Sequence, residues 1–232
     1  MRFPFVRCVS VLAAMLLVLV PATAQVVVVN NGPVTIANAA DITTFATADD
    51  FTLSATATFN AIRFWALDTA GDPALLDQFS GTLSWFIHNN GAGIPDPAIL
   101  ASGTVSGGIM LTDTGVNLLF TNQRIFQLDF SVPDTTLPAG TYWLRLKENT
   151  PTDPSDASFV YWVWRGGQSG NTLRISGDEV NPANWSNGIA DLAYQLRFNA
   201  APAAAIPEPG TLALLLVGGV MTGAGVLRRR RG

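Results

Sequence analysis

Phe126-Gln127-Leu128-Asp129-Phe130-Ser131-Val132 is the stretch that decides how this sequence reads. Apolar side chains stand at 126, 128, 130 and 132, polar ones at 127, 129 and 131. A period of two sends successive side chains to opposite faces of an extended chain, so the segment is a strand with one dry face and one wet face. Working outward, Tyr142, Leu144 and Leu146 alternate with Trp143, Arg145 and Lys147, which puts Trp143 on the wet face of its strand. Leu192, Tyr194, Leu196 and Phe198 alternate with Ala193, Gln195 and Arg197 in the same way. Further strands are expected at 26–29, 56–67, 81–88, 98–105, 158–164 and 172–176. Turn clusters separate them: Ala70-Gly71-Asp72-Pro73, Asn89-Asn90-Gly91, Leu137-Pro138-Ala139-Gly140 and Arg165-Gly166-Gly167. No stretch of the body sustains a helical apolar period, and no repeat recurs at a fixed interval. About nine strands with one wet face each predict an all-β, antiparallel two-sheet sandwich, with a jelly roll as one version and a barrel as a pattern that reads much the same.

The charge balance separates the body from the ends. Of the 13 basic residues, six lie at the termini: Arg2, Arg7, Arg228, Arg229, Arg230 and Arg231. Residues 25–206 carry seven basic and 16 acidic side chains, a net charge of −9. Such a body repels a phosphate backbone, so nucleic acid is not an expected partner. The one cysteine, Cys8, falls in the first of the terminal segments, leaving the body without thiol chemistry or disulfides.

Residues 1–24 read as a signal peptide. A basic start leads into an apolar run at 8–20, and Ala22 and Ala24 form an A-x-A cleavage site before Gln25. The 13 residues of that run are too few to span a hydrocarbon core, which takes about 20. Residues 25–199 then form the β domain, and an alanine and proline linker occupies 200–206. The tail, 207–232, opens with Pro207-Glu208-Pro209, continues with the apolar stretch 210–227 and ends on the four arginines. Its 18 uncharged residues would reach about 27 Å as a helix, enough to cross a bilayer. The arginines would stop transfer and stay cytoplasmic, which puts the β domain on the far side of the inner membrane. The expected location is the cell surface or extracellular matrix, after transient anchoring through 210–227.

The order Pro207-Glu208-Pro209, apolar glycine-containing helix, and Arg228 to Arg231 resembles the PEP-CTERM sorting tail of Gram-negative bacteria that make extracellular polysaccharide. That resemblance covers about 26 residues. It implies that Pro207, Glu208 and Pro209 are the recognition element for exosortase, a membrane cysteine protease, and that the tail is removed during export. The partners it implies are signal peptidase and exosortase, with exopolysaccharide or the cell envelope as the destination. Proline on either side of Glu208 keeps the segment extended, as a protease cleft requires. Asp49-Asp50-Phe51, Ile62-Arg63-Phe64-Trp65 and 137–144 also resemble the body of many PEP-CTERM proteins, a resemblance that brings no activity with it.

Catalytic chemistry finds little to work with. His88 is the one histidine, and beside Asn89-Asn90-Gly91 it reads as a solvated turn residue rather than a triad base. Zinc would need several histidine or cysteine ligands. Structural calcium takes oxygen ligands alone, and the candidates are Asp68, Asp72 and Asp77, Asp49 with Asp50, and Asp153 with Asp156, none at the spacing of a known calcium loop. No other cofactor is expected. Six tryptophans are many for one domain, and Trp143, Trp162, Trp164 and Trp185 are candidates for stacking against sugar rings, the alternative being that they fill the core. The leading expectation is a non-catalytic surface or matrix protein. A carbohydrate-binding module comes second, and a glycosidase built on two carboxylates comes third.

Overall fold

A computed structural model describes residues 25–32, 34–69, 72–119, 121–148, 159–165, 174–176, 185–187 and 190–199. All of them belong to one compact unit, Gln25–Ala200. The described residues are all-β, as expected, and form two antiparallel sheets. Among them no helix is long and apolar enough to cross a membrane. The expected signal peptide, linker and sorting tail lie outside the described residues.

Thirteen strands are seen among the described residues: β1 Gln25–Asn31, β2 Val34–Asp41, β3 Ala46–Leu53, β4 Ala57–Asp68, β5 Thr82–Asn90, β6 Pro95–Ser106, β7 Met110–Asn117, β8 Arg124–Leu137, β9 Gly140–Glu148, β10 Val160–Arg165, β11 Arg174–Ser176, β12 Ser186–Asn187 and β13 Tyr194–Asn199. The seven-stranded sheet is organised on β4, which pairs with β8 from Ala57↔Leu137 to Ala66↔Phe126. The other edge of β4 is shared end to end: β13 takes Ala61 to Phe64, and β10 takes Ala66 to Asp68. Beyond them lie β1 on β13 and β2 on β10, while β7 extends the sheet past β8. The second sheet runs β12-β11-β3-β9-β5-β6. The chain goes out along β3, β4 and β5 and returns along β6, β8 and β9. On the return β6 pairs with β5, β8 with β4 and β9 with β3, so one antiparallel ribbon is folded across both sheets.

The period-two pattern that opened the sequence reading is what fills the space between the sheets. Phe126, Leu128, Phe130 and Val132 of β8 are buried there, with Ile62, Phe64 and Ala66 of β4 and Leu83, Trp85 and Ile87 of β5. Phe64 meets Phe130 and Trp162 edge-on, at ring-centre distances of 6.3 and 6.1 Å, and Trp162 meets Tyr194 at 5.6 Å. Perpendicular rings place the positive edge of one on the negative face of another, which adds to the gain from burial. The predicted turn 137–140 is also present: the Tyr142 hydroxyl donates to the Pro138 carbonyl at 3.0 Å and fixes the β8–β9 corner.

Four strands were not foreseen, one of them β12, only two residues long. β2 and β7 carry no clean alternation, and β3 carries Asp49 and Asp50 at its middle while Ala46, Thr47, Ala48 and Asp49 are all buried. Alternation also misleads on β9. It lies between β3 and β5, and both of its faces are covered, so Trp143 and Arg145 are buried along with Tyr142, Leu144 and Leu146.

Gly103 of β6 is opposite Trp85, and a Cβ there would come within 2.8 Å of the indole Nε1. Because Trp85 is locked in the core, Gly103→Ala is expected to destabilise the fold by about 1–3 kcal/mol, as overpacking does. Urea unfolding checks this, and an unchanged midpoint would show that the indole can move aside.

Candidate functional site

The outer face of the seven-stranded sheet brings three charged side chains together. Arg63 on β4 is directly opposite Asp129 on β8, and Arg197 on β13 is opposite Ala61, one pleat along from Arg63. Odd-numbered positions of β4 and β8 face outward here, because Phe64 and Phe130 face the core. Arg63 donates through Nε to Asp129 Oδ1 at 2.7 Å and through Nη2 to Oδ2 at 3.1 Å. Arg197 Nη1 donates to Oδ1 at 2.8 Å and Gln127 Nε2 to Oδ2 at 2.6 Å. One carboxylate therefore receives four donors from two arginines and a glutamine. Burial, and then the charge of Arg63, push the Arg197 guanidinium below its usual value.

Arg63, Asp129 and Arg197 line a pocket of about 290 Å³ together with Gln25, Ser131 and Asn199, and with Ala61, Gly108, Met110 and Phe130. Gln25 Nε2 donates to Asn199 Oδ1 at 2.7 Å, which ties the first residue of β1 to the end of β13 at the rim. Sequence reading found Asp129 and Arg197 on wet faces but had no means of joining them. The signal was parity: an outward charge on each of three strands, legible only once the strands are paired.

The tryptophans expected at a sugar-stacking surface are placed otherwise. Trp143 is 2% exposed, and its Nε1 donates to Asn90 Oδ1 at 3.1 Å. Trp162 is fully buried, with Nε1 bonded to the Ala193 carbonyl at 2.8 Å. Neither presents a ring to a ligand, so both are corrected from candidate sugar contacts to core residues. Trp164 is half-buried and packs against the core cluster, and Trp185 is half-buried too. His88 is likewise corrected: it is buried rather than solvated, its Nδ1 lies 2.8 Å from the Asp96 carbonyl, and burial lowers its pKa.

Among the described residues no three acids converge as a metal would require. Asp49 and Asp50 are neighbours on a strand and point to opposite faces, so one ion cannot take both. Asp49 accepts from Asn31 Nδ2 at 2.7 Å and from the Leu192 amide at 2.9 Å. Asp72 caps its own turn through the Ala74 amide at 2.9 Å, and Asp77 reaches the Asp72 amide at 3.3 Å. Asp153 and Asp156 lie outside the described residues, as do Ala22, Ala24, Pro207, Glu208, Pro209 and Arg228 to Arg231. Gln25 opens β1.

Buried acids instead anchor connections. Asp68 accepts from the Gln78 amide at 3.1 Å, and Glu148 accepts from the Ser80 amide at 2.7 Å and from the Thr43 hydroxyl. Burial raises the pKa of Asp68 from 3.8 to about 6, and it raises those of Glu148, Asp49 and Asp191 in the same direction. A raised acid contributes stability that is complete below its unfolded pKa and is lost as pH climbs through the folded one. The fold should therefore weaken between about pH 4 and pH 7. Asp68→Asn keeps an acceptor for Gln78 and carries no charge to bury. It is expected to be more stable than wild type at pH 7.5 by roughly 2–3 kcal/mol. The difference should vanish at pH 4, and urea unfolding at the two pH values reads it; an equal effect at both would refute the assignment.

No protein-family model matches this chain, and no curated protein matches it.

Proposed function

We propose that this chain is the precursor of an exported, non-catalytic protein of the bacterial surface or extracellular matrix. Signal peptidase would cut after Ala24. Exosortase would act at Pro207-Glu208-Pro209, with residues 210–227 holding the chain in the inner membrane until then. The observation that carries this reading is the fixed order of the tail: Pro-Glu-Pro, then an apolar stretch long enough to span, then four arginines. The division of the chain supports it, since the compact unit runs Gln25–Ala200, from the first residue after the expected cut to a point ahead of the Pro-Glu-Pro. The folded part of such a protein would be a jelly-roll version of the β-sandwich, a reading supported by the pairing of outgoing with returning strands.

Association with exopolysaccharide or the envelope follows from the same tail. A carbohydrate-binding role, the second reading, is favoured by the polar outer-face pocket and no longer by Trp143 and Trp162. A glycosidase needs two carboxylates flanking the bond it breaks, and among the described residues this pocket has Asp129 alone, already held by four donors.

Intact mass of the protein from its host tests the sorting reading. The expected species starts at Gln25 and ends near Pro207, and in a strain without exosortase the four arginines are retained. Glu208→Ala should block processing. Retention of the arginines in both strains, or normal processing of the variant, would leave a plain membrane-anchored domain.

A further inference from the structure

The pocket on the outer face has an electrostatic imbalance built into its frame. Arg63 and Arg197 come from different strands and share one carboxylate, leaving one positive charge in excess. Asp129 is saturated by the donors it already has, so it cannot neutralise the second arginine further. Arg197 Nε is buried and has no hydrogen-bond partner among the described residues. The side chains of Arg63 and Arg197 are 23% and 10% exposed, so an anion meeting them would do so in a site that is largely desolvated but still open on one side. Partly buried guanidinium groups bind carboxylates through directed, charge-assisted hydrogen bonds, stronger than the same contact in open water.

The excess of one charge fixes the valence of the ligand. The surrounding body carries −9, which repels densely charged polymers such as nucleic acid or sulfated chains. A dianion would overfill the site, whereas a single carboxylate balances it. The rest of the lining fits a hydroxylated ligand: Gln25, Ser131 and Asn199 offer amide and hydroxyl partners, and Met110, 68% exposed, supplies an apolar wall for ring C–H groups. About 290 Å³ is at the lower end for small-molecule pockets and suits one sugar ring, with the chain on either side left in solvent.

We infer that the outer-face pocket bounded by Arg63, Asp129 and Arg197 is a binding subsite for one uronic acid unit of a polysaccharide whose charged units are widely spaced, its carboxylate bridging the two arginines and its hydroxyls meeting Ser131, Asn199 and Gln25. The inference deepens the matrix-protein reading and rests on it only for the choice of a sugar as the carrier of the carboxylate. Binding here is to a single unit, so affinity for a polymer comes from many copies of the protein on one chain.

Titration of the full-length chain in mild detergent with methyl glucuronide, methyl glucoside, acetate and sulfate, followed by calorimetry and by saturation transfer from protein to ligand, tests it. The glucuronide should bind, and the glucoside, acetate and sulfate should each bind roughly tenfold more weakly or not at all. Arg63→Gln and Arg197→Gln should each weaken the glucuronide by roughly tenfold or more. Should either variant fail to fold, Ser131→Trp answers the same question: residue 131 is exposed, and an indole there fills the pocket while leaving the ion pairs intact. Loss of binding in that variant supports the subsite. Wild-type protein that does not bind the glucuronide, binds acetate or sulfate equally well, or retains binding in Ser131→Trp, overturns it. Processing of the tail is read by mass and sugar binding by titration, so either reading can fail without the other.

Discussion

The pairing of β4 with β8 is the constraint on which the rest of this domain depends. The two strands run together from Ala57↔Leu137 to Ala66↔Phe126, with one irregularity between Phe59 and Ala61. That register settles both faces of the sheet at once. On the inside it brings Phe64 against Phe130; on the outside it brings Arg63 against Asp129. A slip by one residue would turn the phenylalanines to water and the arginine into the core, so the charged pair and the aromatic pair enforce the same register from opposite sides. Because β4 is longer than its partners on the other edge, β13 and β10 can lie end to end along it. Arg197 is delivered to the site by the first of these, while Trp162 is delivered to the core by the second.

The acids left over from that arrangement are used as staples, and this has a cost. Glu148, at the end of β9, is fully buried and joins three segments distant in sequence: the turn carrying Thr43, the connection carrying Ser80, and its own strand. Thr43 passes the connection on, since its hydroxyl accepts from the Val160 amide at 2.9 Å. A carboxylate can accept several amide hydrogens, which an apolar residue cannot, but it must surrender water to do so. Burial dominates over those hydrogen bonds in Asp49, Asp68 and Glu148 alike, which is why all three hold their protons more tightly than free acids do. Connections that cross from sheet to sheet expose backbone amides in the interior, and these acids satisfy them.

How much of this was legible in the sequence follows from which strands have a face in water. β8 alternates as read, because its outer positions carry Gln127, Asp129 and Ser131 at least partly exposed to solvent, whereas on β13 Gln195 is half-buried but Ala193 and Arg197, read as wet, are buried. β9 alternates just as cleanly in sequence, yet the middle of its outer face is covered. Trp143 is covered there, and Arg145 lies 3.7 Å from the centre of the Phe86 ring, so a cation on the outward face was mistaken for a sign of water. β3 was missed for the converse reason: Asp49 is buried against Asn31 and Leu192, contacts 18 and 143 residues away, and no local pattern announces them. The pocket was illegible on the same ground. Each of its charges was visible, but what joins them is cross-strand register, which belongs to the fold and not to any one segment.

The domain's charge is therefore best understood by position rather than by sum. Sixteen acids against seven bases would describe a surface that repels anions everywhere. Yet Asp49, Asp68, Glu148 and Asp191 are buried, so part of the negative charge that the sequence counts does not lie on the surface. The arginines, in contrast, gather: Arg63 and Arg197 lie side by side although 134 residues separate them in the chain. Two like charges are kept together only because Asp129 stands between them, and removing that carboxylate would leave a repulsion with nothing to offset it. Asp129 is thus a brace for a positive site. A solvated surface could have kept the two arginines apart at no cost. The sheet instead draws them to one point, in a concave and polar setting, and a net positive centre held in that way needs an anion to complete it.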